Sequence, residues 1–473
     1  MVLKLDGLWR GPASFFPLSA PDSAMDGPKL RDALHLLLPA AQVREISMSL
    51  GVVERIRKLD LHALVAALVM TAGSDDSGRQ SDVYTRYLDE GGQRVVRSAF
   101  YSWFTPKLAL LMTGLAQEAM ATIRALPPLL TGDLAGVVDW ILVDSETVAL
   151  PVELVEDFPS TSASAGLKVH KWFSLGRNNI VDIQITPARD HDAPRLVVDE
   201  SWRGKGLIVD LGYASKSLIA ACHRHDVALV LRLKKGWRPR LLREVCADGT
   251  VFEVDGEEVT EHLLGLRTEE TGGATFDLDV AFGQGRDRVE ARLVGVVGPG
   301  GGYHWCLTTL PRSTHPPAKV CRLYRTRWEI ECDMKRDKAG ARLDQIGGKK
   351  VESVIALVYA SLLRTMLANM LVYIDLRDRP PTRPPLHGLA VALALNVNHG
   401  LILAALDLDL PELWDRAAMV IRARGHDPNW RRRPSVLDQL RGLTAPPGRP
   451  KRARLKDCPP EARPYRQEGC ATM

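Results

Sequence analysis

Residues 324–338 read YRTRWEIECDMKRDK, and the reading of the whole chain turns on them. On a helix, Tyr324, Arg327, Glu331 and Lys338 fall within roughly 60° of arc. Leu323, Ile330, Met334 and Ala341 make a separate narrow apolar stripe that can seat such a helix on a core. The spacing predicts one helix that presents an aromatic hydroxyl, a guanidinium, a carboxylate and an ammonium to one side, along roughly 21 Å of axis. That mixture suits a polyanion held beside a metal. Arg and Lys take phosphates, Tyr adds a donor or a stacking face, and Glu supplies an oxygen ligand for a hard cation. A solvated helix laced with pairs such as Arg327 with Glu331 and Glu331 with Lys335 fits the same letters.

Two other acids stand out. Asp144 directly follows the apolar run Trp140–Val143, and Asp210 closes the short apolar run Gly206–Val209. Alone, each reads as structural, the first as a strand-end turn residue and the second as the start of a helix. Cleavage of a phosphodiester through divalent ions needs several carboxylates converging from strand ends or a rigid helix. Asp139, Asp192 and Asp199 are rival acids that lack the same combination of an apolar strand end and suitable downstream residues.

Together these stretches resemble the DDE transposases of bacterial insertion sequences, in the branch typified by insertion sequence four. Tyr324, Arg327, Glu331 and Lys338 match the family signature Y-x2-R-x3-E-x6-K without a gap, and Trp328 and Ile330 match its Arg-Trp-x-Ile-Glu context. Asp144-Ser145 resembles the first acidic motif and Asp210-Leu211-Gly212-Tyr213 the second. Met334 stands where the family commonly has Phe, and Glu146 is an extra residue in a motif that usually runs Asp-Ser-Thr. The likeness covers about residues 130 to 400.

The resemblance implies an α/β fold: an RNase H-like mixed-sheet catalytic core with a β-rich insertion, plus N-terminal and C-terminal helical regions. It implies that Asp144, Asp210 and Glu331 are catalytic and ligate Mg²⁺, with Mn²⁺ able to substitute. Tyr324, Arg327 and Lys338 would position phosphate and the cut end, and Arg232 and Lys234 would hold a phosphate. Lys168 and His170 are further family features on the second strand. Trp305 would stack on a base flipped from the duplex during hairpin formation, although a strand Trp also reads as core. The implied activity is cut-and-paste transposition: strand cleavage and strand transfer at terminal inverted repeats. The implied partners are double-stranded DNA, both terminal repeats and target, and a second copy of the chain on that DNA. An RNase H-like nuclease without transfer activity and a catalytically inactive DNA-binding protein stay open as alternatives.

The totals fit this picture. The 473 residues are 45% apolar and 25% charged, ordinary for a globular protein of two or three domains. The net charge is +5. Residues 431–473 hold 11 Lys/Arg against 4 Asp/Glu, which leaves 51 basic and 53 acidic groups in the rest. A nucleic-acid surface on the body must therefore come from local patches. The 7 cysteines are scattered with no C-x2-C pair, which argues against a disulfide framework or zinc site and for a reducing cytoplasm, where the resemblance implies a place at the nucleoid. Cys222, His223 and His225 read as a frayed helix end. The apolar segment Val354–Ile374 is broken by Arg364 and Asn369 and reads as a core helix, with no membrane partner.

Along the chain, residues 1–27 read as an irregular arm and 28–130 as a helical DNA-binding domain. In the latter, Phe100, Tyr101, Trp103 and Phe104 stand beside Arg94, Arg97 and Lys107, as either a DNA-contacting patch or a small core. Residues 131–350 read as the RNase H-like catalytic domain, with successive strands, a helix near 215–224, a further strand, a β-rich insertion at about 236–315 and the late helix at 317–340. Residues 351–428 read as a C-terminal helical region and 429–473 as a basic, disordered tail.

Overall fold

The computed structural model describes residues 25–52, 60–72, 80–89, 94–161, 164–234, 236–246, 250–253, 268–285, 288–298, 300–379, 383–427 and 434–443. Most of the N-terminal arm and most of the basic tail lie outside these residues.

The chain is organised on one sheet. Its strands are β1 (Trp140–Leu150), β2 (Ala165–Ser174), β3 (Asn179–Pro187), β4 (Gly206–Val209), β5 (Ala228–Arg232), β6 (Arg240–Val245), β7 (Val251–Glu253), β8 (Phe276–Phe282), β9 (Val289–Val297) and β10 (Tyr303–Thr308). Their spatial order is β3-β2-β1-β4-β5-β10-β9-β8-β6-β7. β1, β4 and β5 run parallel, and β2 and β3 pair antiparallel on the far side of β1. A 3-2-1-4-5 order with the second strand reversed is the RNase H-like arrangement. β4 is buried at every residue, as a strand covered on both faces should be. Gly206 opens it because Trp140, its register partner, fills the space beside it; a Cβ there would come within 2.2 Å of the indole. The described strands of the 236–315 region join the core sheet: β10 pairs with β5 and carries the sheet outward.

The helices are α1 (Gly27–Leu37), α2 (Ala40–Ser49), α3 (Leu61–Thr71), α4 (Gln80–Asp89), α5 (Arg97–Tyr101), α6 (Pro106–Ala125), α7 (Lys216–Arg224), α8 (Thr268–Thr271), α9 (Pro317–Arg325), α10 (Trp328–Lys335), α11 (Val351–Asp378), α12 (Gly388–Leu408), α13 (Pro411–Arg424) and α14 (Val436–Leu440). Local chemistry sets several starts: Asp60, Thr105 and Ser215 cap α3, α6 and α7 through their side chains. α11 runs through the middle of the helical layer against α6, α3, α12 and β3.

The two polar residues that interrupt its apolar sequence are interior ties. Arg364 donates to the carbonyls of Val69 and Met70 at the C-terminal end of α3 and to Asn396 of α12, and Asn369 donates to Asp333. Helices α11 and α12 are each long and apolar enough to cross a membrane, but 89% of the most apolar window of α11 is buried within the protein itself. Among the N-terminal aromatics, Phe100 and Phe104 are buried and Phe100 packs with Tyr84, Tyr87 and Trp103. Those rings form a small aromatic core.

Two expectations change here. The late helix is not continuous. It closes at Arg325, passes through a tight turn in which Thr326 and Arg327 donate their amides to Leu323 and Tyr324, and resumes as α10. It then ends in a π-helical turn over Arg336–Gly340. Residues 434–443, expected in an unstructured tail, include α14, which buries Leu437 and Leu440 while Arg441 donates to the carbonyl of Leu175.

Candidate functional site

The parallel pairing of β1 with β4 ends at Val143 opposite Val209. Asp144 and Asp210 are the next residue on each strand, so both stand at the rim where the parallel ladder stops. Asp144 was expected at a strand end, yet β1 continues to Leu150 because β2 remains its partner: Asp144 lies opposite Lys171. α10 packs on β1 and carries Glu331 over this rim.

Arg327, in the turn before α10, reaches all three acids. Its Nη1 lies 3.3 Å from Asp144 Oδ2, its Nε lies 3.8 Å from Asp210 Oδ1, and its Nη2 donates to Glu331 Oε1. The acids come from two strands and a helix, and one guanidinium joins them. The side chains are partly open, from 18% exposure for Asp144 to 42% for Asp210, as suits a site that meets a substrate. Burial pushes the Asp144 carboxyl up to about 6; the nearby Asp210 and Glu331 add to the rise, and the Ser145 amide and Arg327 oppose it. Like charges held this close call for a cation between them.

The opposite face of β1 supports the same rim. Ser145 donates to Asp192 Oδ1 at 3.0 Å, and Lys168 donates to the same oxygen at 3.1 Å. His170 is fully buried, 3.0 Å from the Tyr213 hydroxyl at one ring nitrogen and 3.0 Å from the Thr186 hydroxyl at the other. Burial lowers the His170 pKa to about 4, which keeps the ring neutral. Burial, and then the Asp192 charge, raise the Tyr213 pKa. Tyr213 thus anchors the turn that carries Asp210, and Gly212 lets Asp192 close in beneath it. Asp192, set aside in the sequence as a rival acid, belongs to this supporting layer. Its signal was its place two dozen residues after Lys168, which only the turn out of β3 reveals. Asp139 is buried and takes Ser174, Gly176 and Arg177, and Asp199 caps a short turn; neither reaches the rim.

Tyr324 is half-buried next to Arg327, and burial raises its pKa to about 12, so it stays a hydroxyl donor. Lys338 lies 3.6 Å from Glu146 Oε2, within the π-helical turn that follows α10. Arg232 is exposed at the end of β5, within electrostatic range of Tyr324, and Lys234 is exposed just beyond. Trp305 is 7% exposed, packed on Phe276 and Tyr303 in the space left by Gly295, with its indole N–H unpaired. Expected as a base-stacking residue, it is placed in the core instead.

Among the described residues no three acid, histidine or cysteine side chains stand close enough to ligate one ion as placed. The Arg327 guanidinium lies where such an ion would compensate the charge. The donor set nonetheless suits a hard divalent cation: three carboxylates, all oxygen, one of them raised by burial first and by its acidic neighbours in addition.

A sheet of this order, with acids at the rim of its first and fourth strands, defines the RNase H-like class. Residues 139–367 match the family model for the transposase DDE domain. The chain is 35% identical over 265 residues to the InsL protein of insertion sequence element IS186A in Escherichia coli K12, a match spanning 51% of this chain and 67% of that protein. It matches the transposase for insertion sequence element IS421 of Escherichia coli to the same extent. Among solved structures, a piggyBac transposase synaptic complex with hairpin DNA aligns over 85% of this chain and 89% of its own, at 11% identity and a TM-score of 0.44, too loose a fit to add to the reading. The chain belongs to the DDE transposases of insertion sequences. It is an enzyme that acts on DNA, in a family that generally works with a divalent metal.

Proposed function

We propose that this chain carries out cut-and-paste transposition, cleaving DNA at the terminal inverted repeats of its element and joining the freed ends to target DNA. The observation that supports this reading is the contact of one guanidinium with Asp144, Asp210 and Glu331. In it, Asp144, Asp210 and Glu331 hold Mg²⁺, or Mn²⁺ in its place. When bound, the metal lowers the pKa of the attacking hydroxyl and offsets charge on the phosphoryl oxygens.

The chain's own residues do the rest. Arg327 exchanges its carboxylates for the scissile phosphate as DNA arrives, and its fork can hold two phosphate oxygens. Tyr324 donates its hydroxyl to the same strand. Lys338, Arg232 and Lys234 hold backbone phosphates on either side. These are placements that lower the barrier by orientation and fixed charge, with no proton moved by the basic residues. Two element ends must be processed together, so the working form is a homodimer on DNA, in the cytoplasm at the nucleoid.

The test uses a duplex carrying the DNA that flanks the gene. Glu331→Gln is expected to abolish Mg²⁺-dependent cleavage and to leave duplex binding nearly intact. Cleavage at the wild-type rate would remove Glu331 from the mechanism.

A further inference from the structure

Behind the rim lies a group of charges that the mechanism leaves unused. Strand alternation places Asp144, Glu146 and Lys171 on the same face of the sheet, the face covered by α10. Lys171 is wholly buried. Its ammonium lies 2.8 Å from Glu146 Oε1 and 3.3 Å from Asp333 Oδ2, and it contacts Asp337 Oδ2. Asp333 and Asp337 are also wholly buried. Asp333 further takes Arg336 at 3.1 Å and Asn369 of α11 at 2.7 Å.

Such a cluster is a poor way to gain stability. Each buried ion loses several kcal/mol of hydration, and well-packed apolar side chains could hold the same helix at least as firmly. Asp333 and Asp337 are four residues apart, a like-charge pair that is unfavourable on an isolated helix. What charges supply and apolar contacts lack is direction. A greasy interface tolerates a helix that rolls or slides; three carboxylates aimed at one ammonium do not. Asp333 and Glu331 lie roughly 160° apart around the axis of α10. Pinning one therefore sets the position of the other. The π-turn belongs to the same device, because it carries Asp337 inward to Lys171 while Lys338 stays exposed beside Glu146.

We propose that Lys171, with Glu146, Asp333 and Asp337, is a positioning unit that fixes the roll and height of α10 over β1 and thereby the reach of Glu331 to Asp144. The inference rests on the reading of Asp144, Asp210 and Glu331 as the catalytic acids. Lys171 touches neither substrate nor metal and acts through Glu331.

The test compares full-length wild type, Lys171→Met/Asp337→Asn, which removes one charge of each sign, and the milder Asp337→Asn. Four quantities are measured: thermal midpoint, Kd for the repeat-end duplex, kcat and KM for its cleavage, and Mn²⁺ affinity by calorimetry without DNA. For the double variant we expect folded protein, unchanged duplex Kd and KM, and kcat down by about a hundredfold, the usual cost of a misplacement near 1 Å. Its Mn²⁺ affinity falls about tenfold, because one ligand no longer converges. Asp337→Asn moves kcat and Mn²⁺ affinity in the same direction by less.

Folded variants that keep kcat and Mn²⁺ affinity within threefold of wild type overturn the proposal. If the double variant does not fold, Asp337→Asn decides alone; if neither folds, the cluster holds the fold and not the site, and the proposal falls. Glu331→Gln is run beside them: full cleavage there refutes the assignment of the acids, whereas its loss with normal cluster variants refutes only the positioning role.

Discussion

Arg327 leads to a prediction with two opposite signs. The guanidinium holds Asp144, Asp210 and Glu331 while 21% of its side chain remains exposed. Two of its contacts are longer ion pairs, worth about 0.5 kcal/mol each at such exposure. The hydrogen bond to Glu331 is charge-assisted and adds about 1 kcal/mol, discounted for the same exposure. Arg327→Ala should therefore destabilise the metal-free protein by about 2 kcal/mol. In the wild type an entering divalent ion has to take these carboxylates from the guanidinium; in the variant it does not. Most of that 2 kcal/mol returns as metal affinity, a gain of about tenfold or somewhat more. At a Mn²⁺ concentration a hundred times the wild-type Kd, the wild type gains about 2.7 kcal/mol of stability, and the variant should gain about 4.1 kcal/mol. The assay is urea denaturation of each protein with Mn²⁺ and with EDTA. Cleavage should move the other way, with handling of the cut end impaired more than initial DNA binding. Equal metal stabilisation in the two proteins would refute the idea that Arg327 holds the place of the ion.

Other expectations follow from the fold. Gly206→Ala puts a methyl group 2.2 Å from the buried Trp140 ring; it should cost about 2–3 kcal/mol in urea denaturation, and a neutral result would show that the strand can shift. Arg364→Met leaves Asn396 and the end of α3 without their donor; a loss of about 3 kcal/mol is expected, and an unchanged midpoint would mean that the tie contributes nothing. The buried His170 has its pKa lowered to about 4 from 6.5. Above pH 6.5 both states are neutral at this site and its contribution is complete; as pH falls toward 4 only the unfolded chain takes the proton. Stability should therefore drop across that window, by up to about 3 kcal/mol from this group. His315, also lowered to about 4, acts in the same sense. His170→Gln should flatten the slope of stability against pH between 4 and 6.5, and an unaltered slope would assign it elsewhere.

How far the sequence could be read varied with the range of the forces involved. Strands β1 to β5 were legible because apolar runs such as GLIV at 206–209 and turn residues are local signals. The three acids could be singled out by their order and neighbours, but their meeting at Arg327 depends on where β4 stops, and nothing local to Asp144 says so. The break at Thr326 and the π-turn at 336–340 were invisible: hydrogen-bond spacing of three or five is decided by what the side chains find, here Leu323 and Lys171. Glu146 looked like an intruder in a motif, because its partner lies on β2 and on the far side of a turn. Trp305 could be read as a stacking residue or as strand core for a related reason, since only the pairing of β9 with β10 brings Gly295 opposite its ring.

The continuity of the sheet bears on any attempt to shrink this enzyme. β10 occupies the outer flank of β5, and the five strands from β10 to β7 lead, among the described residues, to an edge at Val251–Glu253, all exposed. Excising the 236–309 span would not leave a tidy minimal catalyst. It would bare the polar backbone of Ala228–Arg232 beside an apolar interior, the kind of open flank that recruits other chains into aggregates. What looks like an appendage in the linear order is the selvedge that keeps the fabric from fraying.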